Sequence, residues 1–355
     1  ILLTTYNTNL EKNIRRILDS KIEAAGGDRQ RYRDAITVMG MPTLCAELVR
    51  AGSSPEMSSP SPGENAAEYE ARLKDWAAAA LEESKGRFAR FDYVLIDEIQ
   101  DFDDTHLFIV TKVCKGGRFF FVGDIGQKIY ERSHELKRHG IIKRDIEMEK
   151  SYRMYRTPRY IAELATSFVI KDPYVRNEFE SNGYKQPVQY ANTNETVAVL
   201  AEASDPFDAA AEKVHEVVSG EYADPDILLI TSEHGMDRQA AALEKRGVCF
   251  SRGETEKGEK VVLVDFMNVK GLERPFVVIT GIEDLSCRGP AGVFEDEEAK
   301  ARDESLSRRK LYVAMTRTTE QLYMYYSGTG HRFVSELLEE DKAMARKRAR
   351  RGHAI

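Results

Sequence analysis

Two short strings hold the residues best suited to chemistry. The first is FDYVLIDEIQD over Phe91–Asp101, an apolar run ending in adjacent carboxylates, Asp97 and Glu98. Paired acids at a strand end suit phosphate chemistry, in which one holds a divalent cation and the other takes a proton from an attacking water. Open parallel sheets bind ligands at the carboxyl ends of their strands, where this pair falls. A solvated Asp-Glu turn after a core strand reads much the same, but the Gln100 and Asp101 that follow make the string more specific. The second string is FFFVGDIGQKIY over Phe119–Tyr130. It ends another apolar run in Gly123 and Asp124, with Gln127 and Tyr130 behind them. A neutral Gln can contact a terminal phosphate, or the water attacking it, without adding charge. A plain glycine turn accounts for Gly123 and Gly126 equally well, though not for two Asp-ending strands in succession.

These strings need strands and helices to position them. Near-continuous apolar runs predict strands over Ile1–Thr5, Tyr93–Ile96, Phe119–Val122, Ile227–Thr231, Lys260–Val264, Phe276–Thr280 and Leu322–Tyr326. Such runs belong to parallel sheets covered on both faces. Helical periodicity falls between them, over Leu10–Ala24, Thr105–Cys114, Pro158–Val169, Met236–Arg246 and Leu306–Thr316. The alternation predicts an α/β fold with mainly parallel sheets covered by helices. Ala51–Asn65 is rich in Ser, Pro and Gly and reads as a loop within a small helical insertion over residues 29–90. Ala291–Arg302 is Glu-rich and reads as a solvated surface segment. Lys342–Arg351 carries six Lys and Arg residues and reads as a solvated helix end.

The chain has 355 residues, 42% hydrophobic and 31% charged, which is a globular balance sized for two domains. No stretch has the apolar length to cross a bilayer, and no signal peptide opens the chain, so no membrane role and an intracellular, cytoplasmic location are expected. The four cysteines, Cys45, Cys114, Cys249 and Cys287, have no metal or redox spacing. A net charge of −7 excludes a globally basic nucleic-acid binder and leaves only a local groove for that purpose. A chain opening directly on ILLTTY reads as a strand entered part-way, so an upstream segment is expected.

The strings DEIQD, GDIGQKIY, SYR (Ser151–Arg153), VKGLE (Val269–Glu273) and LYVAMTR (Leu311–Arg317) occur in that order. Together they resemble motifs II to VI of superfamily I helicases of the UvrD/Rep type, and ILLTTYNTNL resembles motif Ia. The resemblance implies two RecA-like P-loop NTPase domains, over about 1–150 and 151–330, followed by a C-terminal helix and basic tail over 331–355. It also implies ATP and Mg²⁺ as cofactors and ATP-driven 3′-to-5′ movement on single-stranded DNA, with RNA left open. By the same resemblance Asp97 holds Mg²⁺, Glu98 activates water and Gln127 senses the γ-phosphate. Asp124 and Gly271 fall within nucleotide-site motifs, Tyr152 stacks on adenine and Glu273 contacts the ribose. Arg153 and Arg317 reach the γ-phosphate, a task suited to a permanently charged fork. Thr5, Tyr6 and Tyr130 are offered to the nucleic-acid path, where aromatic faces hold bases without reading sequence.

The chain also departs from the pattern. No GxxxxGK[ST] loop occurs in these residues; in the family it lies just upstream of motif Ia. Glu131, Arg132 and Ser133 stand where an aromatic-Arg pair is usual, and Asp265-Phe266-Met267 replaces Thr-x-His. Motif V follows Asp226–Phe250 by about a dozen residues, which leaves no room for the large inserted subdomain of full-size members. Two other readings stay open: a catalytically silent nucleic-acid-binding or scaffolding protein, and an ATP-gated switch in a repair or defence complex.

Overall fold

The computed structural model describes residues 1–6, 8–52, 59–61, 63–123, 139, 153–181, 189–192, 194, 196–220, 226–253, 260–285 and 297–352. The chain divides into two compact units, built essentially on residues 1–124 and 150–355.

The first unit runs β1 (Leu2–Thr5), α1 (Thr8–Ala24), α2 (Arg29–Ala35), β2 (Thr37–Gly40), α3 (Met41–Gly52), α4 (Ala66–Glu83), β3 (Val94–Ile96), α5 (Asp104–Val113) and β4 (Phe119–Phe121). Its four strands lie in the order β2-β1-β3-β4, every pair parallel. Leu2, Val94 and Ile96 are buried with Leu44, Leu48, Val49, Leu107 and Val110, so helices α3 and α5 supply the apolar cover that a parallel sheet requires. One expectation fails here. Thr37–Gly40, inside the supposed helical insertion, is a strand paired with β1. Val38 and Met39 are buried, and four residues with no helical period are too short a signal to separate strand from helix by pattern. Helices α3 and α4 do flank the Ser/Pro/Gly-rich stretch. A capping box at Asn65 and Glu68 opens α4, and each satisfies a backbone donor of the other.

The second unit runs β5 (Arg153–Met154), α6 (Arg159–Val169), α7 (Pro173–Ser181), β6 (Gln189–Tyr190), β7 (Val199–Glu202), α8 (Pro206–Ser219), β8 (Ile227–Thr231), α9 (Met236–Lys245), β9 (Ser251–Arg252), β10 (Val261–Asp265), β11 (Arg274–Ile279), α10 (Glu297–Met315), β12 (Thr318–Tyr326) and α11 (Arg332–Gly352). Six strands form one sheet in the order β7-β12-β11-β8-β10-β9, again all parallel, while β5 and β6 pair separately. The central strand β8, ILLIT, is buried at all five positions. Pro206 opens α8 behind Asp205, whose carboxylate accepts from the Phe207 and Asp208 amides. Residues 297–302, expected as a solvated segment, are the first turns of the 19-residue α10. Strong helix formers outweigh the high charge there. Two parallel sheets flanked by helices make this an α/β protein.

A buried cation fastens α11 to the second unit. Arg308, on α10, is fully buried and donates to Glu336 Oε2 at 2.5 Å and to the Phe168 carbonyl at 3.0 Å. The Phe168 and Phe333 rings lie 4.6 and 4.7 Å from its guanidinium carbon. Burial opposes ionisation of Glu336, but Arg308 and Arg332 outweigh it and hold the carboxyl below its usual range.

Candidate nucleotide and nucleic-acid sites

In the first unit, Asp97 and Glu98 follow directly on β3 and are both partly exposed at the carboxyl edge of the sheet. The Asp97 amide donates to the Thr4 carbonyl at 2.9 Å, which continues the β1–β3 pairing one residue past the strand. The chain then turns sharply. Glu98 sits in the left-handed region, at φ 55° and ψ 48°, and caps a single 3₁₀ turn over Ile99–Asp101. A non-glycine residue there costs about 1–2 kcal/mol, and glycine would relieve it. A carboxylate at such a position is a pointer to function. Its placement is supported: the Asp97 carboxylate accepts from the Glu98 amide at 3.0 Å, and the buried Gln100 side chain donates to the Glu98 carboxylate. The Ile99 amide reaches the Val122 carbonyl at 2.9 Å and so ties this turn to the end of β4. Gly123 permits that approach, since a methyl group on it would stand 2.6 Å from Ile99 Cγ2 and nearer still to Gln100 Oε1. The glycine of the second string is thus fitted against the acids of the first.

Two hard carboxylate oxygen donors suit Mg²⁺, which keeps several waters and takes its remaining ligands from phosphates. Among the described residues no group of three or more His, Cys, Asp or Glu could hold a metal by itself. Two carboxylates alone would leave the other positions round such a cation to water and to a phosphate ligand.

Thr5 and Tyr6 do not stand open to a strand. Thr5 is fully buried at the end of β1, because successive strand residues alternate faces and both faces are covered here. Its side chain offers nothing to the surface, which corrects the expected contact. Tyr6 is partly buried. Its hydroxyl donates to Glu70 Oε2 at 3.0 Å, and its ring meets the His106 ring edge-on, centroids 5.8 Å apart. Together with Met41, Cys45 and Lys74 these residues line a cavity of about 120 Å³. Behind it, Asp103 caps α5 in a reciprocal pair with His106 and receives Lys74 Nζ at 2.5 Å. Burial opposes ionisation of Asp103, but His106 and Lys74 outweigh it and hold the carboxyl well below its ordinary range. Burial pushes the Cys45 thiol up to about 12, which makes it an inert core group.

In the second unit, segments that are distant in sequence converge. Arg317 lies between α10 and β12 and is only 6% exposed. Its Nε donates to the Val313 carbonyl at 3.0 Å and Nη2 to Thr316 Oγ1 at 3.4 Å, folding the guanidinium back on the last turn of α10. The Arg274 amide donates to the Arg317 carbonyl at 3.2 Å, so the residue after Glu273 is bound to Arg317 itself. Thr157 Oγ1 donates to the Thr316 carbonyl at 3.0 Å, and Arg156 forms an ion pair with Glu273. The segments carrying Arg153, Glu273 and Arg317 thus meet at the amino ends of β11 and β12. Gly271 turns the approach to β11 at φ 79°, a conformation that favours glycine. Arg153 is placed in β5 by its backbone.

Sequence reading missed Arg156, Thr157 and Asn192. Asn192 Nδ2 donates to the Arg156 carbonyl at 2.6 Å and to the Thr319 carbonyl at 2.9 Å. The second arginine in SYRMYR was a visible signal; Asn192 gave none. Asp124, Gln127, Tyr130 and Tyr152 lie outside the described residues.

Acids at the end of a parallel strand, in a sheet covered by helices, suit a site for a phosphate ligand. Residues 65–133 match the family model for the UvrD/REP helicase N-terminal domain, which bears out the resemblance to UvrD/Rep-type helicases. That match covers α4 to β4 and both chemical strings. Among solved structures, a similar chain is the C-terminal domain of a possible DNA helicase from Lactobacillus plantarum WCFS1. It is 16% identical, covers 52% of this chain and 93% of that one, and has a TM-score of 0.34. No curated protein sequence matches the chain.

Proposed function

We propose that this chain is the motor portion of an ATP-dependent translocase or helicase acting on single-stranded DNA, moving 3′ to 5′ as the family resemblance implies. The observation that carries this reading is the Asp97–Glu98 pair at the carboxyl end of β3. There Glu98 is kept in a strained left-handed conformation and is braced by Gln100 within the matched segment. MgATP, when bound, supplies the phosphoryl group. Asp97 offers a carboxylate to the cation, and Glu98 takes the proton of the attacking water. Arg317 and Arg153 are assigned to the developing phosphate charge, with Gln127 at the terminal phosphate. Tyr152, Gly271, Glu273 and Asp124 are assigned to the nucleotide. Tyr6 and Tyr130 are assigned to unpaired bases, which Tyr6 reaches by leaving its contact with Glu70. The lysine-bearing phosphate loop is not among these residues, so we expect the 355-residue chain alone to hydrolyse ATP poorly.

The test is ATP turnover by the intact protein, with and without single-stranded DNA, for the wild type and for Glu98→Gln. The variant keeps the shape of the side chain and loses the base. Nucleotide binding retained with turnover lowered by about 10²–10⁴ supports the reading. Turnover equal to wild type overturns it.

A further inference from the structure

The last turns of α11 form a cationic projection whose chemistry the nucleotide and base sites leave unused. The helix is divided by charge. Three of its four acids, Glu336, Glu340 and Asp341, turn to the body of the unit, while Glu339, 3.8 Å from Lys171, stays largely exposed. Glu336 takes Arg308 and Arg332, Glu340 takes Lys171 at 3.0 Å, and Asp341 accepts from the Tyr160 hydroxyl at 2.7 Å. From Lys342 onward the sequence has six cations and no acid. Arg346 and Lys347 therefore have no carboxylate three or four residues before them along the helix. Among the described side chains Met344 is the last buried one of the helix, and residues 345–349 are exposed. Met344 and Arg348, the latter 5.6 Å from the Tyr160 ring centroid, mark the packed side. Lys342 and Arg346 lie two residues to either side of Met344, about 200° round the helix, and point away from the body.

Three bland explanations fall short. A helix dipole favours cations only in the final turn, and Lys342 and Arg346 lie before it. Ordinary solvated surfaces mix both signs, whereas this segment has one sign in a chain of net charge −7. A membrane-surface helix needs an exposed apolar face, and the sole large apolar side chain between Lys342 and Gly352, Met344, is buried.

We infer that the end of α11 binds the phosphate backbone of a nucleic acid, without reading sequence, as a contact separate from the base-stacking path. Charge complementarity fits a polyanion. The preponderance of arginine, four of the six cations, fits phosphate oxygens in particular. This inference rests on the helicase reading for its choice of polyanion.

The experiment is fluorescence anisotropy of the intact protein with a labelled single-stranded oligonucleotide across a range of salt. Wild type is compared with the triple variant Lys342→Gln, Arg346→Gln, Lys347→Gln, and with Arg346→Lys. Each phosphate contact contributes about 0.7 to the slope of log affinity against log salt for single strands, so the triple variant should lose roughly 2 from that slope. Arg346→Lys should keep it. Equal circular dichroism and melting temperature establish that the glutamines, good helix formers, leave the fold unchanged. An unchanged slope in the triple variant overturns the inference and leaves the helicase reading standing. If wild type binds no nucleic acid, both fall. Displacement of the oligonucleotide by polyglutamate or by anionic vesicles at equal charge concentration also overturns it, because the surface would then be a general anion patch.

Discussion

Thr157 donates its hydroxyl to the carbonyl of Thr316 across 159 residues of sequence, and so binds the segment carrying Arg153 to the one carrying Arg317. Thr157 is buried, so the bond is shielded from water and its loss leaves a carbonyl without a donor. Two arginines assigned to one phosphate thereby rest on a common support.

Thr157→Val should cost about 1–3 kcal/mol of second-unit stability, since the shape is kept and the donor is lost. Thr157→Ser should restore most of it. Urea unfolding of both variants measures the difference, and equal midpoints for Val and wild type would show that the bond contributes nothing.

Glu98→Gly should separate stability from activity. Glycine relieves the left-handed strain, so the free energy of unfolding should rise by about 1 kcal/mol while DNA-stimulated turnover collapses. A loss of stability would mean that the Gln100 contact outweighs the backbone strain.

Gly123→Ala should disturb the same turn from the other side. The added methyl meets Gln100 and Ile99 at distances real Cβ atoms do not show. Overpacking of this kind costs about 1–3 kcal/mol, and the displaced turn should lower turnover although position 123 touches no ligand. Wild-type kinetics and stability together would refute the close fit.

Arg308→Ala should be the most damaging single change in the second unit. It removes the buried partner of the half-buried Glu336, which is left with Arg332 alone, and removes the sandwich between Phe168 and Phe333. Breaking a buried pair in this way costs about 3–5 kcal/mol. Arg308→Met, which keeps volume without charge, should still be destabilised, but Arg308→Met with Glu336→Leu should recover much of the loss. Thermal melts of the three variants decide the matter.

Acid should loosen the first unit through Asp103. Its carboxyl is held well below the usual range by His106 and Lys74 against the opposing effect of burial. A depressed folded-state pKa contributes stability above the unfolded value of about 4, and that stability is lost as pH falls below it. Asp103→Asn should flatten the fall in stability on the acid side of pH 4. An unaltered pH profile would mean that another carboxylate governs acid unfolding.

Much of this protein was legible in its residues. The strands β8, β10 and β11 show as apolar runs, because a strand covered on both faces must be apolar throughout, and the DEIQD and VKGLE strings fix the order of the site segments. The strand β2 was not legible. Four residues of TVMG satisfy no period, and only pairing with β1 makes them a strand. The burial of Thr5 is not visible in the sequence, which gives its position at a strand end but not the helices that close over it. Tertiary structure alone decided that Glu98 pays backbone strain, that Gly123 lies against Gln100, and that Asn192, Thr157 and Thr316 form one support. Each of these depends on atoms brought within a few ångströms from distant parts of the chain, and local propensity holds no record of such contacts.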